Sequence, residues 1–462
     1  MIWALQGQSW LVLRSNAVNL GVFAFYCSEV RLPAPAKTPN IGARPSPLFD
    51  TYETFLSSSA AEYVAERPAI EEFLKVFAPH IPAANDLAHA RAFLKSYSGQ
   101  ATTFKAYRTQ VERILLWSWI IAGKSILDLR RSDAERFMDF NVAPPASWVG
   151  DAVRQRFLPR GGVYEPNPAW RPFGIKISKS DRKRAKEAGE ELGVSGYKMA
   201  QGSIRQVFSI CSSFFEFLTQ EDLAQGNPFK AIKGKSRWIR TTAKRSGGKS
   251  LTQLQWDFVI ETAELMANEA PESHERTLFI VSSLFSMYLR VSDLVGNQLW
   301  TPTMGSFVKE DETWWYEVVG KGNVEARIAV KPDYLKYLKR YRQSRNLTPL
   351  PLKGEQAPLL TKLNGAPGLS DRQVRNIVQE VFDRALKRMH EEGRSDCEVD
   401  DLRVATLHWL RHTGATFDAP HRDAKNLQAD LRHKSMSTTQ DIYYNSLDDQ
   451  RAAEVEGLTV KR

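Results

Sequence analysis

Cysteine is scarce in this chain: Cys27, Cys211 and Cys397 are the only three in 462 residues. They lie far apart, in odd number and without metal-ligand spacing, which argues against a disulfide framework and a zinc site and suits a reducing compartment. Long uncharged apolar runs are lacking too. The most apolar stretch, MIWALQGQSWLVLRSNAVNLGVFAFYC, is interrupted by Gln6, Gln8, Ser9, Arg14, Ser15 and Asn16, and no basic residue precedes it. Neither a membrane span nor a signal peptide is expected, and the cytoplasm is the expected location. There is no acidic cluster, Walker-type glycine loop or Cys/His set, which removes most support for two-metal nuclease, ATP-driven and zinc-dependent chemistry. Acids are missing altogether between Phe229 and Ser250.

What is present suffices for two or three folded domains: 42% of residues are hydrophobic and 25% charged. The net charge of +10 makes a polyanion the natural partner. A Pro-rich stretch, Leu32 to Pro47, reads as a linker, and residues 1–80 as an amino-terminal extension of unknown role. From about Ser57 to Asn141 the pattern is helical. There Tyr107, Val111, Ile114, Leu115 and Trp119 recur at three- and four-residue steps as an inward stripe, leaving Lys105, Arg108 and Arg113 for solvent or phosphate. Residues 144–197 are irregular and include the basic run KISKSDRKRAK, which reads either as a solvated face or as a DNA contact. A helix resumes with Ile204, Val207, Phe208, Cys211, Phe214, Phe215 and Leu218 on one apolar face, ended by Gly226 and Pro228. Residues 86–232 thus form a helical domain. The acid-free segment follows, with Lys230, Lys233, Lys235, Arg237, Arg240, Lys244, Arg245 and Lys249. As a glycine-bearing linker, residues 233–249, it can lie along a phosphate backbone.

Residues 250–462 read as a second domain. Thr252 with Gln255, Ser370 with Gln373 and Ser437 with Gln440 have capping-box spacing, so helices are expected to begin at each. Between Gly305 and Val330, β-branched and aromatic residues flank Gly320, Gly322 and Asn323, predicting a small antiparallel sheet with Lys321 near a hairpin tip. The domain is expected to be mainly helical with that one sheet.

Four polar patches stand out: LFSMYLRVSDLVG with Arg290, the GKGN hairpin with Lys321, LHWLRHTGAT with His408 and Arg411 on one helix face, and LRHKSMSTTQDIYYNS with His433, Tyr443 and Tyr444. Each alone is weak. In this order and wording they resemble the tyrosine recombinase, or phage integrase, family, whose motifs are an arginine in an L-R-x-S-[DE]-L turn, a lysine in a G-K-G hairpin, H-x-L-R-H-T, L-x-H-x-S and a final tyrosine. The resemblance covers about Ser250 to Leu447. Residues 86–232 more loosely resemble the family's core-binding domain. Three departures mark the chain. Tyr288 stands where the family usually has Gly before Leu-Arg, Arg432 where Gly precedes the second histidine, and Tyr443-Tyr444-Asn445 where the ending is Tyr-x-His.

The residue types suit phosphodiester chemistry. Guanidinium groups of Arg290 and Arg411 can clamp a phosphate bidentately, replacing a metal, while a phenol attacks to form a covalent phosphoprotein. The resemblance implies that His408 and His433 accept the phenol proton or bond the phosphate, and that Lys321 protonates the departing 5′ oxygen. Tyr443, ten residues after His433, stands at the family's spacing for the nucleophile. No cofactor and no metal are expected. The implied function is a site-specific DNA recombinase of integrase or transposase type from a mobile element, clasping double-stranded DNA between its domains. It would act as a homotetramer on two DNA sites, with accessory recombination proteins as further partners and the nucleoid as its place in the cytoplasm. Two alternatives stay open: a DNA-relaxing topoisomerase with the same chemistry, and a DNA-binding regulator without turnover.

Overall fold

The computed structural model describes residues 43–99, 101–175, 196–239, 249–297, 300–320, 324–444, 455 and 458. The described residues fall into two compact units: one runs up to Phe173 and again from Gly202 to Gly234, the other from Gly174 to Gln201 and from Lys235 onward.

The first unit is helical, with Ala83–Lys95, Ala101–Trp117, Arg131–Val142 and Gln201–Gln220 as its longest elements. Val111, Ile114, Leu115 and Trp119 are buried as their spacing predicts, and so is the whole apolar face from Ile204 to Leu218. Lys105 is exposed, but Arg108 and Arg113 are not left to solvent or phosphate. Arg108 is buried and donates to the Asp50 carbonyl, while Arg113 donates from Nε and Nη2 to the Pro172 carbonyl at 3.0 and 2.8 Å. Backbone from distant segments lies over the polar face of this helix, which the periodicity of one helix cannot reveal.

The same contacts draw the amino-terminal segment into the unit. Glu112 Oε1 accepts from the N–H groups of Leu48 and Phe49 at 2.9 and 3.2 Å, its Oε2 accepts from Arg156 at 2.8 Å, and Asp50 pairs with the fully buried Arg67 at 2.8 Å. Buried charges persist only when paired in this way. Within the irregular stretch, Phe157–Arg160 and Val163–Pro166 form an antiparallel hairpin whose turn uses Gly161 and Gly162 at positive φ. The basic run beginning at Lys176 lies outside the described residues.

The second unit is built on the helix Pro271–Ser286. Its second half, from Thr277 to Ser286, is buried nearly all round, and the helix packs against Gln253–Glu269, Leu335–Ser344, Asp371–Glu391 and Leu407–Asp418. Phe285 stacks on Trp256 with ring centroids 3.7 Å apart. Where Leu407–Asp418 crosses the central helix, Gly414 lies so close that a Cβ would run into the Phe285 carbonyl oxygen. Thr252 and Ser370 cap helices with complete capping boxes, as expected. Ser437 does not. The helix Met436–Thr439 is capped two residues earlier by Ser435, whose hydroxyl accepts from the Ser437 N–H, and it continues as a π-helical turn, Gln440–Tyr444. With the helix already started at Met436, Ser437 lies inside its first turn and cannot cap it, so the spacing Ser437-x-x-Gln440 misleads.

The expected sheet has three antiparallel strands in sequence order, Phe307–Glu310, Thr313–Gly320 and Val324–Ala329, with Gly320 opposite Val324. Lys321, Gly322 and Asn323 lie outside the described residues. A small second core gathers Tyr288, Ala415, Ala419, Leu427, Leu431 and Tyr443, and it supports the site.

Candidate active site

Arg290 precedes the short helix Val291–Val295, and its N–H donates to Asp293 Oδ2 at 2.6 Å. Arg411 projects from Leu407–Asp418, almost fully buried. Its Nη1 donates to the Tyr288 carbonyl and its Nη2 to the Leu431 carbonyl at 2.5 Å, and Arg290 Nη2 reaches that same Leu431 carbonyl at 3.4 Å. Two guanidinium groups therefore converge on one carbonyl oxygen. Burial and the nearby Arg290 and Arg432 push Arg411 down to about 9, and burial and Arg432 lower Arg290 as well. The nearby carboxylate, Asp293, is engaged with Arg432 through both oxygens at 2.9 and 2.5 Å. Such a pair of guanidinium groups gains most from an added anion.

Tyr443 arrives on the final π-helical turn with its side chain buried. Its phenol oxygen lies 2.9 Å from His412 Nδ1, and its ring is nearly parallel to that of His433, with centroids 6.1 Å apart. His433 Nε2 faces Arg411 Nη2 at 3.4 Å and its Nδ1 faces Thr439 Oγ1 at 3.0 Å, so the guanidinium donor assigns the proton to Nδ1. His408 is exposed and meets His412 edge to face, with centroids 4.5 Å apart. Burial, followed by the surrounding cations and histidines, drives His412 down to about 3 and His433 down to about 4; His408 is lowered by burial and the surrounding cations. All three are neutral at physiological pH. Burial likewise raises Tyr443 to about 12 against the opposing pull of Arg411 and Arg290.

Five of the expected residues, Arg290, His408, Arg411, His433 and Tyr443, are thus brought to one place. Lys321 lies outside the described residues, as do Arg240, Lys244 and Arg245 and the side chain of Tyr444. Lys233, Lys235 and Arg237 are exposed; the last two sit in a 3-10 turn, with Arg237 5.2 Å from the ring centroid of the buried Trp238. His412 was not singled out from the sequence. Its position four residues after His408, on the same helix face, was the signal that could have found it. Lys249 also acts on this place, depressing both His408 and His412.

No protein-family model matches the chain, and no curated protein does. Among solved structures it is similar to the XerH site-specific recombinase bound to its difH substrate in a pre-cleavage complex, at 14% identity and a TM-score of 0.46, covering 82% of this chain and 90% of that one. It is similar to the Tn1549 transposon integrase in complex with circular intermediate DNA at 17% identity and a TM-score of 0.45, covering 80% and 99%. A lambda integrase dimer bound to a COC′ core site matches at 14% identity and a TM-score of 0.44, covering 76% and 96%. The chain resembles tyrosine recombinases.

Proposed function

We propose that this protein is a site-specific DNA recombinase that cuts and rejoins duplex DNA through a 3′-phosphotyrosine on Tyr443. The observation that carries this reading is a phenol, hydrogen-bonded to a neutral imidazole, beside two guanidinium groups that share one carbonyl. A scissile phosphate held by Arg290 and Arg411 takes the place of a missing counter-charge. Attack by Tyr443 Oη forms the new P–O bond and breaks the bond to the 5′ oxygen. The phenol proton passes to an imidazole, and Lys321 supplies a proton to the departing 5′ oxygen. Charge growing on the non-bridging oxygens is met by donors already in place, each worth on the order of 10²–10³ in rate. The reverse reaction, with a 5′ hydroxyl from another strand, rejoins the DNA.

In this reading Lys233, Lys235, Arg237, Arg240, Lys244 and Arg245 follow the phosphate backbone, and four protomers act on two DNA sites in the cytoplasm. Incubation with a suicide substrate nicked near the cleavage point tests it. A denaturation-resistant protein–DNA adduct that disappears in Tyr443→Phe is expected. An adduct that persists in that variant takes the nucleophile away from Tyr443, and no adduct from the native chain refutes the reading and leaves a DNA-binding regulator. An adduct with relaxation of a supercoiled plasmid that carries no recombination site would point to a topoisomerase instead.

A further inference from the structure

Tyr288 and Arg432 both adopt the left-handed conformation, with φ of 51° and 55°, a region that side chains other than glycine's rarely occupy. Each stands beside a carbonyl that holds a site arginine. The Tyr288 carbonyl accepts from Arg411, and the Leu431 carbonyl, in the peptide that enters Arg432, accepts from both Arg411 and Arg290. Each is also tied down by its own side chain. The Tyr288 phenol donates to Asp418 and accepts from Arg422 Nη1 at 3.3 Å; Arg422 in turn pairs with Asp430 at 2.7 Å, and Asp418 with Lys331 at 2.5 Å. The Arg432 fork grips Asp293, the residue that also caps the Arg290 turn.

We propose that Tyr288 and Arg432 are positioning residues, whose side-chain tethers hold two left-handed turns so that the Tyr288 and Leu431 carbonyls fix the guanidinium groups of Arg411 and Arg290. This rests on the recombinase reading only for its consequence in catalysis. A residue with a Cβ leaves the left-handed region unless something holds it. If Arg432 released Asp293, the Leu431 peptide would rotate and take with it the one acceptor that both arginines share. The Asp293 contact also joins the two turns, so the arginines are set relative to each other as well as individually.

Substitution at position 432 separates this role from others. Arg432→Ala removes the tether but keeps a Cβ, whereas Arg432→Gly removes the tether and makes the left-handed turn without one. In single-turnover cleavage at saturating DNA, Arg432→Ala is expected to slow adduct formation roughly ten- to hundred-fold, as misplacement of catalytic groups does. Its affinity for DNA should stay unchanged, and Arg432→Gly should recover most of the rate. Tyr288→Phe, which keeps the ring in its core, should slow cleavage in the same way. Native rates in Arg432→Ala, or equal losses in the alanine and glycine variants, would overturn the proposal. A crystal structure of Arg432→Ala without DNA gives a readout independent of cleavage. Arg411 Nη2 should have left the Leu431 carbonyl, and its retention there would overturn the proposal even if the native chain forms no adduct; that last result would refute the recombinase reading alone.

Discussion

Tyr443 presents its phenol oxygen to Nδ1 of His412 at 2.9 Å, on the helix that also carries Arg411. The imidazole is neutral, so with its own proton on Nε2 it accepts the phenol hydrogen bond at Nδ1 and has room there for the proton. His412→Asn places an amide oxygen near the missing nitrogen and keeps an acceptor that cannot take a proton. Adduct formation should fall by about 10²–10⁴, the usual share of general base catalysis, with DNA binding retained. A native rate in His412→Asn would return the proton to His408 or His433. In the same assay Tyr444→Phe should cleave, and failure there would move the nucleophile by one residue.

The buried histidines also make folding pH-dependent. In the folded chain His433 lies at about 4 and His412 at about 3, against an ordinary 6.5, so between these values the unfolded chain binds more protons. Their contribution to stability is complete above pH 6.5 and is lost as the pH falls through that interval. The urea midpoint of the native chain should therefore drop more steeply on acidification than that of His412→Asn. Parallel curves for the two would mean that position 412 titrates normally.

The basic segment between the helical unit and the second unit is expected to follow phosphates rather than read bases. Neutralising Lys233, Lys235, Arg237 and Arg240 together should weaken binding to all DNA sequences alike. It should flatten the slope of log affinity against log salt by roughly one unit for each phosphate that is no longer neutralised. An unchanged slope would assign those charges to solvent.

In the proposed mechanism two guanidinium groups and a lysine supply the charge that a metal would otherwise bring to the phosphate. Cleavage of the suicide substrate should thus persist in EDTA. Complete loss, restored by magnesium alone, would reject the mechanism proposed for Arg290 and Arg411.

Where structure depends on neighbours in sequence, it was legible in advance: the caps at Thr252 and Ser370, the hairpin strands around Lys321, the pairing of His408 with Arg411 on one face. Where it depends on remote partners it was not. The left-handed turns are held by Tyr288 with Asp418, 130 residues away, and Arg432 with Asp293, 139 away. Both positions had already stood out as departures from a glycine pattern, but only the folded chain supplies the anchors. Arg108, whose helix position suits phosphate, is buried by a carbonyl 58 residues upstream. His412 escaped because a helical wheel shows which side chains share a face, not which one a distant tyrosine will meet.

Gly414 gives the crossing of two helices a particular meaning. Arg290 leaves the chain four residues past the end of Pro271–Ser286, and Arg411 rides on Leu407–Asp418 three residues before the contact with Phe285. The gap between the two guanidinium groups is therefore gauged by backbone resting on backbone, and a single methyl at position 414 would act as a shim driven into a bearing. Every side chain proposed to hold a phosphate could be kept and the two guanidinium groups still arrive too far apart to grasp it together.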